Sequence, residues 1–567
     1  MQFRSTLKAI AVAGFGLTLA APAMSQGVAG SYLAARQASI FNDYRAAADY
    51  FARAMMQDTG NPALMENAVM AYLGLGQAER AAAVARRLMS TGASSQIANM
   101  VLLADGIKRE NFDSVLADIE AGQSVGPLID GLLKAWAELG AGKMSDAIAT
   151  FDVVAETKGI EIFGLYHKAL GLGMAGDYEG AAEILSGDAA GPLQLTRRGI
   201  LAYVQVLSQL DRNPDAVDLI DATFPGGLDP ALEKLRAELE AGKPIPYDAI
   251  RNTKDGAAEV YLVVAGALNG EAADGYTLLY SRLAEYLRPD QVDGILLSAS
   301  LLENLERYEL STESYMKIPA DDPAFDDAEL GRADALRKSG DTDGAIAVLQ
   351  ELTAARPDNA AVLITLGDTF RGLERYEEAS QAYDSALALF PEPTRGQWRV
   401  FFARAITFER TDKWEQAEAD FRKALDLNPG QPQVLNYLGY SFVEMGENLD
   451  EAVELIKEAV AADPDSGYIV DSLGWVQFRT GNYTEAVVNL ERAAELMPVD
   501  PVVNDHLGDA YWAVGRKVEA SFQWRRALSF DPEEKDATRI RRKLEVGLDV
   551  VLEEEGAEPI VLTAKDG

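Results

Sequence analysis

The chain has 567 residues, with 52 basic against 89 acidic side chains, a net charge of -37 and no cysteine. So negative a field repels nucleic acid and anionic lipid head groups, and without cysteine there are no disulfides, thiolate metal sites or cysteine-linked lipid anchors. At 48% hydrophobic but only 8% aromatic residues, the interior must be filled chiefly by Ala, Leu and Val.

At the N-terminus, Arg4 and Lys8 precede an apolar run from Ala9 to Ala21, followed by the small residues of PAMSQ. A charged start, an apolar run of about a dozen residues and an A-x-A-like site make a secretory signal peptide. Residues 1–25 are expected to be removed after Ser25, with cleavage after Ala23 as the alternative. The run is shorter than the ~20 residues that span a bilayer. No other segment is long and apolar enough, so the expectation is a periplasmic chain that does not span a membrane.

From 26 to 224 the residues recur at a period in the thirties. Ala35, Tyr44, Ala47, Phe51 and Ala54 set one copy, Ala135, Gly142, Ala147 and Phe151 another, and Ala169, Gly176, Tyr178, Ala181 and Leu185 a third. Four prolines and the runs PGGLDP and GKPIPY interrupt the phase over 225–257, which reads as an irregular connector between two arrays.

Over 258–532 the period is plain. Pro289, Pro323, Pro357, Pro391, Pro429, Pro464, Pro498 and Pro532 are spaced by 34, 34, 34, 38, 35, 34 and 34 residues. Within 467–500, Leu473-Gly474 occupy positions 7 and 8 of 34, Gly481 and Tyr483 positions 15 and 17, Ala486 position 20, Leu490 position 24, Ala493 position 27 and Pro498 position 32. Small residues at 8, 20 and 27 allow two helices to approach closely. Large ones at 7, 11, 17 and 24 fill the space between neighbours, and proline closes the second helix. This pattern resembles the tetratricopeptide repeat (TPR), two antiparallel helices per repeat. The fold expected is therefore all-α, a TPR-type α-solenoid of about fourteen repeats between 28 and 532. Ala486 and Ala493 should sit at helix contacts with no room for growth.

The segment 533–567 reads as a capping helix with a flexible tail. Ile540, Leu544, Leu548 and Val551 share one face, and Arg539, Arg541, Arg542 and Lys543 are expected on a solvated one.

Catalytic chemistry is not indicated. The two histidines, His167 and His506, fall inside first helices, so no enzyme, cofactor or metal is expected. Gly171–Gly176 satisfies G-x-G-x-x-G but ends a helix instead of linking a strand to one, and Gly140–Lys143 marks the same kind of turn.

Positions 2, 5, 9, 12 and 13 of the first helices should form an inner wall. In the last repeats they hold Phe402, Ile406, Asn436, Tyr440, Asp471, Trp475, Phe478, Arg479, Asp505, Asp509 and Trp512. Aromatic and amide-or-acid side chains suit an extended peptide. Trp475 and Trp512 are the expected anchors, replaceable by Ala without loss of fold, and the acids should select a basic or apolar segment. The clamp of chaperone-binding relatives needs Lys, Arg and Asn, and only Arg479 fits it, so recognition of a terminal carboxylate is not expected.

The closing region (NYLGYSF, DSLGWVQFRTGNYTEAV, NDHLGDAYWAVGRKVEA) is similar to exported bacterial TPR proteins, among them an adaptor of a periplasmic carboxyl-terminal processing protease. That resemblance implies a non-enzymatic scaffold or adaptor, presenting substrates to such a protease. The alternative is a structural component of an envelope export or polysaccharide assembly complex. Adaptors of that kind are commonly lipoproteins, a feature this cysteine-free chain departs from.

Overall fold

A computed structural model describes residues 28–187, 193, 195–225, 229–557 and 560. The leader expected over 1–25 and nearly all of the tail beyond 557 lie outside that set. Among the described residues all regular structure is helical. The chain divides into two compact units, Met1–Val348 and Leu349–Gly567.

The first unit opens with helix pairs. They are α1 (Val28–Ile40) with α2 (Tyr44–Gln57), α3 (Pro62–Gly74) with α4 (Ala78–Ser90), and α5 (Gln96–Lys108) with α6 (Phe112–Glu120). Then come α7 (Pro127–Gly140) with α8 (Met144–Glu156), α9 (Glu161–Ala175) with α10 (Tyr178–Leu185), and α11 (Arg197–Gln209) with α12 (Asn213–Thr223). Side chains of Asp43, Asn61, Ser95, Asp177 and Thr196 accept first-turn N–H groups that have no partner within the helix. Gly176 ends α9 at φ +87° and Gly142 turns the chain between α7 and α8 at φ +75°. Both glycine motifs are thus inter-helix turns, where the left-handed backbone calls for glycine.

There follow α13 (Pro230–Glu240), α14 (Thr253–Leu268), α15 (Asp274–Leu287), α16 (Val292–Asn304), α17 (Tyr308–Tyr315), α18 (Phe325–Ser339) and α19 (Thr342–Ala355), the last containing the division between units. The connector expected over 225–257 therefore falls inside the first unit. The cause lies in α14, which is buried without interruption from Asp255 to Leu262, its two acids Asp255 and Glu259 paired with Arg251 and Arg198. A helix with so little exposed face must be enclosed. It turns back onto α5, α7 and α9, while α15 packs on α3, α4 and α5. Gly256 lies so close to Trp136 that a Cβ there would stand 2.4 Å from the indole. Tyr261 donates its hydroxyl to the Met100 carbonyl at 2.8 Å, and Tyr286 donates to Asp105 Oδ1 at 2.9 Å. One apolar core consequently runs from α1 to α15.

The second unit keeps the simple pairing. Its pairs are α20 (Ala360–Gly372) with α21 (Tyr376–Ala388), α22 (Trp398–Glu409) with α23 (Trp414–Leu427), and α24 (Pro432–Met445) with α25 (Leu449–Ala462). They continue with α26 (Gly467–Arg479) and α27 (Tyr483–Leu496), then α28 (Pro501–Ala513) and α29 (Lys517–Leu528). Two closing helices are α30 (Glu534–Val546) and α31 (Leu548–Glu554). A Cβ on Gly367, Gly439, Gly474 or Gly508 would stand 2.6, 2.7, 2.5 or 2.4 Å from Tyr383, Ile456, Leu490 or Trp524 respectively. Glycine at position 8 thus admits the large side chain at position 24. Ala486 and Ala493 are fully buried at the expected contacts.

Candidate protein-binding groove

In the second unit the first helices meet one another along the stack: α20 touches α22, α24 touches α26, and α26 touches α28. Their shared face is the wall on which the sequence places its candidate residues. It has an open part at α20–α22 and a filled part at α26–α30.

At the open part, Ile364, Asp368 and Arg371 of α20 face Arg399, Phe402 and Ile406 of α22 around a hollow of about 400 Å³. Phe402 is half-buried among aromatic rings, with centroids 6.4 Å from Trp398, 6.0 Å from Phe421 and 5.9 Å from Tyr437. Asp368 accepts from the Tyr383 hydroxyl at 2.7 Å and from Arg371 at 3.2 Å. On α24, Asn436 is buried and its Oδ1 lacks a hydrogen-bond partner, an acceptor that calls for a donor. Tyr440 is half-buried, its hydroxyl pKa pushed well up by burial and by the charges of Glu444 and Asp471.

On α26 the candidates turn toward their own neighbours. Trp475 is 8% exposed. Its indole stacks between Phe478 at 5.0 Å and His506 at 4.0 Å, nearly parallel to both, and its Nε1 donates to Glu444 at 3.0 Å. Arg479 reaches the same Glu444 at 3.8 Å. His506 Nδ1 bonds Asp471 at 3.0 Å. Burial works against the imidazolium, but the charge of Asp471, helped by Asp505 and Asp509, raises its pKa above the usual 6.5.

The last repeat is filled by α30. Lys543, expected in solvent, is buried, its ammonium 2.8 Å from both Asp505 oxygens and 2.7 and 2.8 Å from those of Asp509. Asp509 also accepts from Trp524 Nε1 at 2.9 Å and lies 3.4 Å from Arg539. Trp512 Nε1 donates to Asp549 at 2.9 Å, and Lys517 sits 4.2 Å over its ring. A Cβ on Gly547, between the closing helices, would stand 2.5 Å from Trp512. The acids and tryptophans of this end are therefore engaged by the chain itself. α30 brings its own basic residues, Lys543 and Arg539, to these acids. Sequence reasoning, which drew the apolar face from Ile540, Leu544, Leu548 and Val551, missed this because it grouped Lys543 with the neighbouring arginines on the solvated side.

Three residues escaped the sequence reading altogether: Arg395, Trp398 and Arg399. They lie within the one interval of 38 residues, Pro391 to Pro429, which includes a 3-10 turn, Arg395–Gln397, ahead of α22. That irregular spacing was the available signal.

The first unit holds a separate hollow of about 600 Å³, lined by Ile162, Phe163, Leu262 and Leu297 over a buried pair. Glu259 accepts from the Tyr166 hydroxyl at 3.0 Å and from Arg198 at 2.5 Å. Burial opposes its charge, but Arg198 holds the carboxyl below its ordinary range. His167 is buried nearby on α9. It accepts from Trp136 Nε1 at 3.2 Å, and burial lowers its pKa to about 4, so it is neutral. Among the described residues no group of three His, Asp or Glu side chains is placed to hold a metal ion, and no helix is long and apolar enough to cross a membrane.

Residues 330–392, 402–467 and 446–501 match the family described as tetratricopeptide repeat. A TPR repeat-containing protein of Pseudomonas aeruginosa is 31% identical over 183 residues, which are 32% of this chain and 30% of that protein. The mitochondrial import receptor subunit TOM70 of Mus musculus is 29% identical over 132 residues, 23% of this chain and 20% of the receptor. The chain thus spans less than a third of the length of either relative. Among solved structures, the APC/C hetero-tetramer Cut9–Hcn1 is similar with a TM-score of 0.37 at 14% identity, over 92% of this chain and 96% of that one. MamA is similar over 29% of this chain and 94% of its own, with a TM-score of 0.27 and 23% identity. The chain carries tetratricopeptide repeats in an α-solenoid, and proteins of this kind are protein–protein interaction scaffolds, generally without enzymatic activity.

Proposed function

We propose that the chain is an exported, periplasmic scaffold or adaptor whose second unit holds an extended segment of a partner protein against α20, α22 and α24. The observation that carries this reading is the unfilled hollow between Ile364, Phe402 and Ile406, an apolar concavity on the wall where neighbouring repeats leave side chains half-exposed. Such a surface binds by covering apolar area and offering polar groups at the rim. Export rests on Arg4, Lys8 and the run Ala9–Ala21. Delivery of substrates to a periplasmic protease is the narrower form of the proposal, supported by the resemblance of the closing repeats.

Replacing Ile364 and Ile406 together with Asp should abolish capture of partners by the tagged chain while leaving its helicity intact. Retention of every partner by the folded variant would refute the groove. N-terminal sequencing of the protein from cells should find Gln26 at or near the start, and an intact Met1 in the cytoplasmic fraction would refute export.

A further inference from the structure

Beside the hollow of α20 and α22 lies a second concavity of about 690 Å³, sharing Trp398 and Arg399 with it and bounded by Arg395, Asn428, Gln431 and Gln433. Arg395 in the 3-10 turn and Arg399 in the first turn of α22 both line this concavity. Arg395 Nε donates to Asn428 Oδ1 at 3.1 Å, and Asn428 donates in turn to Gln431 Oε1 at 2.8 Å. Gln431 donates to Gln433. This relay fixes the Arg395 fork while leaving its Nη groups unused. Arg399 lies 5.4 Å over the Trp398 ring. Neither arginine meets a carboxylate among the described residues, in a chain where acids outnumber bases 89 to 52. Arg371, by contrast, is already matched by Asp368.

We infer that Arg395 and Arg399 form an acid-recognition subsite of the groove, selecting a partner segment that carries an aspartate or glutamate side chain next to an apolar one. The inference rests on the groove proposed above and names its ligand. Planar guanidinium forks match a carboxylate with paired charge-assisted hydrogen bonds, and the adjoining apolar hollow takes the neighbouring side chain. A lysine or arginine of the partner would be repelled here. A side-chain acid is favoured over a chain terminus because the wall continues past this point to Asn436 and Tyr440 on α24. The -37 charge of the whole chain opposes a distant acidic partner, so recognition depends on these local forks.

The test is to pan random peptides, joined to a carrier at both ends, against the full chain. Enriched peptides should pair Asp or Glu with an apolar residue. Arg395→Glu with Arg399→Glu should weaken them by at least about tenfold, and changing the peptide acid to Lys should restore binding to that variant. Circular dichroism checks the fold, and Arg395→Gln with Arg399→Gln serves if the charge reversal unfolds the chain. Acid-free peptides that still depend on Ile364 and Ile406 would overturn the acid subsite and leave the groove standing. Enrichment only from a library with free carboxyl termini would overturn the side-chain assignment. No enrichment, or binding indifferent to all four residues, would overturn both.

Discussion

The same helix pair is used in two ways along this chain. In the first unit the inner faces of α3, α5, α7 and α9 are covered by α14 and α15, contributed from much later in the sequence. In the second unit the corresponding faces of α20 and α22 are left open, and only the far end is filled, by α30 through Lys543. A repeat surface is therefore neither binding nor structural by its pattern. Which it becomes depends on whether the chain returns to cover it.

The sharpest way to break that contrast is to remove the filler of the second unit. Lys543→Ala leaves Asp505 and Asp509 buried without the ammonium between them, with only Arg539 3.4 Å from Asp509, and should cost about 3–5 kcal/mol, read by chemical denaturation. A loss below about 1 kcal/mol would mean α30 is not held by these charges.

Next come the histidines, whose signs are opposite. His167 in the first unit has its pKa lowered from 6.5 to about 4. The unfolded chain therefore binds the extra proton first, and stability falls, by on the order of 3 kcal/mol, as pH drops through that window. His506 in the second unit has its pKa raised. Its contribution is complete below 6.5 and is lost as pH rises through the higher folded value. Hydrogen exchange resolved by unit, wild type against His167→Phe and His506→Phe, should show the two slopes vanish separately. A single shared slope would contradict the assignment.

A smaller effect distinguishes the two interiors. Gly256→Ala and Gly474→Ala each push a Cβ into a neighbour, Trp136 or Leu490, and each should cost about 1–3 kcal/mol. The first should lower protection as far away as Met100, whereas the second should stay within α26, α27 and their neighbours. Equal spread would erase the distinction. Smallest is the turn: Gly481→Ala at φ +82° should cost about 1 kcal/mol, while Glu374→Gly at φ +58°, where a side chain is already tolerated, should be close to neutral by thermal melting.

Much of the second unit was legible because its contacts are local. Gly474, Ala486 and Leu490 meet within one repeat, so periodicity alone locates them. The placement of Trp475 was legible as to face but not as to availability. Its stacking on His506 crosses a repeat boundary, and position-by-position reading does not show that a neighbour will take up the exposed ring. The double change Trp475→Ala, Trp512→Ala, expected from sequence to spare the fold, removes side chains that the structure packs against His506, Phe478 and Trp524. The return of α14 was invisible to the repeat pattern, although its apolar run from Val260 to Leu268 was a sign of enclosure. The arginine pair stayed hidden because the proline spacing shows that one repeat is longer, not what its extra residues hold.

The re-entry of α14 also sets an order of events. Tyr261 and Met100 are 161 residues apart, so closing that contact means ordering a long loop, and high contact order slows folding. As the chain is made from its N-terminus, α3, α5 and α7 exist with apolar inner faces well before the helices that will cover them. Such a surface is open to aggregation during that interval. The second unit, whose neighbours are consecutive, waits for nothing distant. The first unit is the part of this molecule that a folding assistant would need to shelter.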